Sequence, residues 1–362
     1  MSYHKLRSIE VKGYKSIKNQ NIFLTDMNVL IGQNGAGKTN FISLFKFLRN
    51  IITGRLKNTS LKSGAENLLY YGSKETQLIS LYLDFDPNYY WIHLQSAPNK
   101  DTLIVESEVS GFKDKDHDHP YWDQITSSEE ESTLAIKAKN IPTAKYVLGV
   151  LNEWRVYHFQ DTSESAGVMK YASMTDNKFL FEDASNLAPF LYLLKHTREE
   201  FYERIVKTVQ LVIPFFNDFL LEPNPFNPET IRLEWNDIYS DKTFSANELS
   251  DGSLRFICMA TLLLQPDLPK VILLDEPELG LHPSAITILS GLLKKASNRS
   301  QVIVSTQSVS LVNEFDAEDI IVVGKLDAET VFKRLDPTDL EVWLNDYSLG
   351  ELWDMNILGG KP

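Results

Sequence analysis

Three features of the sequence predict an α/β fold: a mixed sheet with an antiparallel β layer and an inserted helical subdomain. First, a glycine-rich loop, Gly32-Gln33-Asn34-Gly35-Ala36-Gly37-Lys38-Thr39, separates an apolar run at 27–31 from an amphipathic stretch at 41–48. That order is strand, loop, helix. Second, the apolar run Val271-Ile272-Leu273-Leu274 ends in Asp275 and Glu276, the way a buried parallel strand delivers acids to the carboxyl edge of a sheet. Third, the apolar spacing between these two landmarks changes from alternation to intervals of three and four residues, which marks strands giving way to helices.

Taken in order, residues 6–11, 22–24 and 27–31 read as three short strands leading into the glycine-rich loop. From 78 to 109 the pattern alternates, with the turn signal Asp86-Pro87-Asn88 between runs, so an antiparallel layer is expected there. The polar stretches 111–120 and 127–131 carry no period and read as exposed loops. His117, Asp118 and His119 alternate within the first of them, but a mobile polar loop gives a metal site no supporting shell. From 181 to 221 the spacing is helical, as in Leu187, Phe190, Leu191 and Leu194. Pro223, Pro225 and Pro228 end this region, and 231–235 looks like a return strand. The expected division is 1–165 for the first half of the core with the loop and β layer, 166–230 for the helical arm, and 231–362 for the second half.

With 362 residues, 43% of them hydrophobic and 11% aromatic, the chain has ample core material for one large or two ordinary domains. No apolar run approaches the roughly 20 residues of a membrane span, and the first ten residues lack a secretory stretch; a cytoplasmic protein is expected. Cys258, the single cysteine, lies among apolar neighbours and reads as a buried small residue. A net charge of −13 argues against a broad basic surface of the kind that drives non-specific nucleic-acid binding. Local basic series remain, at Lys12, Lys15 and Lys18 and at Arg49, Arg55, Lys57 and Lys62; each is a solvated face or a DNA track.

The loop carries the first piece of chemistry. Its glycines let successive backbone N–H groups and the following helix N-terminus point at phosphate oxygens. Lys38 then reaches the β- and γ-phosphates of a nucleoside triphosphate, Thr39 offers a hydroxyl to Mg²⁺, and Asn40 opens the helix beside them. A turn that merely caps a helix needs neither Lys38 nor Thr39. On the acidic strand, Asp275 would face the Mg²⁺ shell and Glu276 would act as general base toward the attacking water.

Just upstream, Leu249-Ser250-Asp251-Gly252-Ser253 precedes an apolar helical stretch and resembles the Leu-Ser-Gly-Gly-Gln signature of ABC-type ATPases. Phosphate loop, signature, acidic strand and a downstream segment, Val302-Ile303-Val304-Ser305-Thr306-Gln307-Ser308, stand in that family's order. The chain resembles the RecF, SMC and OLD branch, and most of all the compact stand-alone bacterial AAA-family ATPases, over nearly its full length. The resemblance implies an ABC-type P-loop ATPase head that uses ATP and Mg²⁺. It further implies that Ser250 and Gly252 contact the γ-phosphate of a nucleotide held by a second subunit, in a homodimer closed around two ATP molecules. It makes Gln160 the glutamine that senses Mg²⁺, although a plain loop glutamine reads nearly as well. Glu278 and His282 would fall in a dimer-contacting loop, or His282 would cap the next helix. Two positions depart from the family: Asp251 replaces a glycine, and Gln307 stands where a histidine is usual. Glutamine can hydrogen-bond a γ-phosphate but holds no proton, so slow turnover is expected.

Two functions compete. One is an ATP-gated dimer that controls a partner effector of nuclease or Toprim type, encoded nearby, in defence against phage; a RecF-like repair role with DNA as ligand is the alternative. The other makes the chain itself a nuclease, which is disfavoured because the 55 residues after Gln307 (362 less 307) fall short of the roughly hundred of a further domain. A transporter's ATPase is disfavoured by the long β layer and the opening Lys12-Gly13-Tyr14-Lys15-Ser16.

Overall fold

The computed structural model describes residues 5–360 except 99, 115, 117 and 118; His117 and Asp118 therefore lie outside the described residues. Its central element is a six-stranded sheet in the order β15-β14-β3-β13-β12-β8. These strands are β3 (Met27–Ile31), β8 (Trp154–Tyr157), β12 (Val271–Asp275), β13 (Gln301–Thr306), β14 (Ile320–Leu326) and β15 (Glu329–Arg334). All neighbours are parallel except β14 and β15.

A parallel sheet covered on both faces must be apolar on both, which is why β12 and β13 read as unbroken apolar runs. Val29, Ile272, Leu274, Val302 and Val304 pack on one side with α6 (Asp251–Leu264) and α7 (Pro283–Ser297). Leu30, Val271, Leu273 and Ile303 pack on the other with α1 (Lys38–Ile52). Helix α1 meets them with a stripe at Phe41, Leu44, Phe45, Leu48 and Ile51, all buried. Nearly every residue of α6 from Leu254 onward is buried, so Cys258 is a core residue whose thiol burial pushes up to about 12.

The second sheet is antiparallel throughout, in the order β2-β1-β4-β5-β6-β7: β1 (Ser8–Tyr14), β2 (Ile17–Phe23), β4 (Leu78–Asp84), β5 (Asn88–Ser96), β6 (Leu103–Phe112) and β7 (Tyr121–Glu129). Alternate residues such as Leu81, Leu83, Tyr90, Ile92 and Leu94 point into the core shared with α1. Strand β7 corrects the sequence reading of 127–131 as loop: Ser127, Ser128 and Glu129 belong to a strand at the sheet edge. It has no hydrophobic period because only Ile125 and Thr126 of its nine residues are buried.

The helical segment also differs from expectation. Helices α4 (Leu187–Thr197) and α5 (Glu199–Val212) form where the spacing predicts, but Phe216–Leu220 is strand β9, not helix. Pro214 follows Ile213 directly, and the residue before a proline is biased away from the helical region. Strand β9 pairs antiparallel with β10 (Glu234–Asp237), which pairs with β11 (Ser240–Ser245). Helix α2 (Leu56–Ser63) follows α1, and α3 (Pro142–Asn152) lies under the β layer. No helix among the described residues is long and apolar enough to cross a membrane.

Candidate active site

Register brings the candidate residues to one edge. Thr306 pairs with Ile31, and Ser305 pairs with both Leu30 and Asp275. The residues that immediately follow, Gly32, Gln307 and Glu276, therefore leave the sheet side by side at the carboxyl ends of β3, β13 and β12. That edge of a parallel sheet is where ligands bind in open α/β folds.

The loop between β3 and α1 folds around the Lys38 ammonium, which donates to the carbonyls of Gly32 at 2.6 Å and Gln33 at 3.1 Å. Lys38 is 5% exposed. Burial lowers its pKa from the ordinary lysine value, and the carboxylates of Glu276, Asp275 and Glu278 pull it back up. Those three acids are thus its electrostatic neighbours. Gly37 adopts φ 119°, and a side chain there would collide with the Thr330 hydroxyl. That hydroxyl donates to the Ala36 carbonyl at 2.8 Å and shares a hydroxyl–hydroxyl contact of 2.8 Å with Ser16 Oγ, to which Asn40 Nδ2 donates at 2.7 Å. Asn34, Gly35 and Thr39 face outward, and nothing lies within 4 Å of where a side chain on Gly35 would stand. The space a phosphate needs is on this side of the loop. Beside Asn40 a cavity of about 710 Å³ opens, lined by Lys15, Ser16, Tyr71 and Lys325 among others.

On the acidic side, Ser305 Oγ donates to Asp275 Oδ1, and Gln160 Nε2 donates to the Asp275 carbonyl at 3.1 Å. Gln307 Nε2 donates to Glu276 Oε1. Glu276 sits at φ 47°, a left-handed conformation that a non-glycine residue adopts at a cost of about 1–3 kcal/mol. Its backbone N–H is held by the Ser305 carbonyl at 2.9 Å. Glu278 is buried and accepts from Thr306 Oγ1; burial raises its pKa. The hydroxyl of Thr39, a carboxylate oxygen of Asp275 and the amide of Gln160 are hard oxygen donors. Together with phosphate oxygens they suit Mg²⁺, while the described residues contain no His/Cys/Asp/Glu cluster that would hold a metal by itself.

Ser250 and Gly252 stand elsewhere. Ser250 is the N-cap of α6, accepting from the Ser253 N–H at 3.2 Å, and a side chain on Gly252 would collide with the Gly280 carbonyl. Arg255, one turn on, donates to the carbonyls of Leu279 at 3.0 Å and Gln160 at 2.8 Å. Their contacts run to the 279–280 turn and the Gln160 segment, not to the loop at 32–39. His282 caps α7 by accepting from the Ser284 N–H at 3.3 Å.

Sequence reading missed Ser305, Thr330 and Arg255. The first two are ordinary strand hydroxyls whose role comes from register with distant segments. Arg255 alone left a signal, as a charge inside an otherwise apolar helix.

This arrangement of loop, acidic strand and Gln307 agrees with a family match over residues 27–313, described as "AAA domain, putative AbiEii toxin, Type IV TA system". The chain belongs to this family. An ATP/GTP phosphatase of Helicobacter pylori is 21% identical over 307 residues, spanning 78% of this chain and 79% of that protein. A "Putative ABC transporter ATP-binding protein" of Methanosarcina acetivorans is 32% identical over 151 residues, which are 39% of this chain and 52% of that protein. Among solved structures, an SMC head bound to the C-terminal winged-helix domain of ScpA superposes with TM-score 0.57 at 15% identity, covering 93% of this chain and 99% of that one. An SMC head with an extended coiled coil, bound to the C-terminal domain of ScpA derived from Pyrococcus furiosus, gives TM-score 0.53 at 15% identity over 94% and 98%. The protein is an ATPase of this AAA family, and its α/β fold is similar to that of SMC heads.

Proposed function

We propose that this ATPase closes as a homodimer around two ATP–Mg²⁺ and, by closing, gates a partner effector in the cytoplasm. The observation that carries this reading is that Ser250, Gly252 and Arg255 make their contacts with Ser253, the 279–280 turn and Gln160 rather than with the loop at 32–39, while Lys38, Asp275, Glu276 and Gln307 converge. Each chain then offers one half of a site and the complementary half of another.

In this reading Gly32 to Asn40 hold the triphosphate by backbone N–H groups, and Lys38 leaves the Gly32 and Gln33 carbonyls to meet the β- and γ-oxygens. Bound Mg²⁺ would neutralise phosphate charge, with Thr39, Asp275 and Gln160 the residues that would face it. Glu276 takes the proton of the attacking water, and Gln307, already on its carboxylate, orients that water toward the γ-phosphate. The amide of Gln307 carries no proton to give, which makes closure by binding more prominent than fast turnover. The segment 166–230 is read as the arm that passes closure to the partner.

The family description names a toxin of a Type IV TA system, and solved relatives of similar fold are bound to ScpA. Both support a partner protein and, with it, gating of an effector of nuclease or Toprim type in defence against phage. A RecF-like role in DNA repair is the second reading, supported by the SMC-type head.

Mixing two inactive variants tests the composite site. Lys38→Ala and Ser250→Arg should each be inactive alone, whereas their mixture should regain up to about a quarter of wild-type turnover through the one intact site of each mixed dimer. A mixture as inactive as its components would overturn the proposal.

A further inference from the structure

The basic residues around the first helix divide sharply. Lys12 pairs with Glu10 at 2.5 Å, Lys18 with Glu329 at 2.7 Å and Lys57 with Glu130 at 2.8 Å, and Lys15 donates to Ser43 Oγ at 2.8 Å. These are satisfied surface groups. Lys46, Arg49, Arg55 and Arg155 instead line two adjoining cavities of about 330 and 260 Å³ that share Lys46, Arg49 and Glu182.

The groove is short of negative charge. Of its carboxylates, Glu182 pairs with Arg49, and Asp183 stands at the exposed rim. Lys46 makes no ion pair among the described residues. The Arg155 guanidinium donates to the carbonyls of Asn152 and Trp154, lies 5.6 Å from the Phe179 ring and makes no ion pair among the described residues, with Glu182 and Glu153 its acidic neighbours. Burial and the neighbouring Arg49 lower the Arg155 pKa, against the pull of Glu182 and Glu153. Like charges are held together in a half-enclosed groove of a chain whose net charge is −13. Such crowding is unfavourable unless an anion lies between them.

Lys46 and Arg49 lie on α1, the helix that Lys38 opens, with Asn50 and Thr53 continuing the lining one turn on. His158 leaves β8 two residues before Gln160, which bonds the Asp275 carbonyl. A ligand here would touch both the helix of the phosphate loop and the segment that reaches the acidic strand.

We propose that this groove between α1, the end of β8 and the segment 179–185 is a second anion site, taking a phosphate-bearing ligand. Lys46, Arg49 and Arg155 hold the phosphate oxygens. Phe179, 50% exposed at the mouth, offers a ring face to a base when the phosphate belongs to a nucleic-acid strand end. The phosphate chemistry is the same for a strand end and for a free polyphosphate. The influence of this site on turnover depends on the reading of Gln160 given above; its binding does not.

Binding to the full-length Lys38→Ala variant separates the groove from the phosphate loop. Fluorescence anisotropy of a labelled, 5′-phosphorylated dinucleotide should show binding to Lys38→Ala, competed by pyrophosphate, and weakened about tenfold when exposed Lys46 is changed in Lys46→Glu, as expected for losing one charge-assisted contact. Dinucleotide binding tighter than pyrophosphate binding assigns a strand end; equal binding assigns a free polyphosphate. Absence of binding to Lys38→Ala, or equal binding after Lys46→Glu, would overturn the proposal. The part of ATP binding that Lys38→Ala removes reads the phosphate loop independently and should be unchanged by Lys46→Glu in the otherwise wild-type chain.

Discussion

The phosphate loop and the signature segment are both glycine-bearing turns that open a helix, yet their surroundings are opposite. The loop at 32–39 is closed in by its own chain: Thr330 bears on Gly37, Ser16 ties Thr330 to Asn40, and the Lys38 ammonium lies buried among loop carbonyls. At the signature, Ser250 and Asp251 are exposed, and among the described residues Ser250's side chain is bonded only to Ser253, its own cap contact. One turn is finished within the fold, and the other presents groups that its own chain leaves unused. On the proposed reading, the completed cradle of one copy and the open donor surface of another make up one site.

The largest expected effect breaks the comparison at its finished end. Lys38→Ala should weaken nucleotide binding by about 10- to 150-fold, since a buried charge-assisted contact is worth about 1.5–3 kcal/mol, and the loop loses its central tie as well. Titration with a fluorescent ATP analogue reads this, and retained tight binding would remove the cradle assignment. Next, Gly37→Ala should destabilise the fold by about 2 kcal/mol or more, because a side chain would meet Thr330 at a backbone angle it does not favour. Denaturant midpoints with and without nucleotide would show it. At the open end, Ser250→Ala should cost about 1 kcal/mol, the value of a helix cap, while leaving ATP binding to the isolated chain unchanged. A stability loss as large as that of Gly37→Ala would mean the signature is structural.

Much of this was readable in the sequence because the decisive chemistry is local. The loop from Gly32 to Thr39 and the run into Asp275 and Glu276 declare themselves within eight residues, and the alternation at 78–94 and the stripe along α1 follow from which faces are buried. What escaped depends on partners far along the chain. Thr330 meets Gly37 only because β15, paired with β14 on the far side from β3, reaches the loop that follows β3, and Ser305 meets Asp275 only through register. Strand β7 has one largely solvated face and no period to read, while Phe216–Leu220 continues a helix-like spacing and becomes a strand because Pro214 stops α5. The groove at Lys46, Arg49 and Arg155 joins residues more than 100 positions apart, so the basic series in the sequence could not distinguish its members from Lys57, which is simply paired.

The central claim is that ATP joins two chains, and Glu276→Gln tests it most directly. The variant keeps the cradle and Asp275 but loses the carboxylate that would take the water's proton, so ATP should persist where wild type turns it over. Light scattering coupled to size exclusion should show the variant at twice the monomer mass with ATP and Mg²⁺, and at the monomer mass without nucleotide. A variant that binds ATP yet stays monomeric would contradict the account.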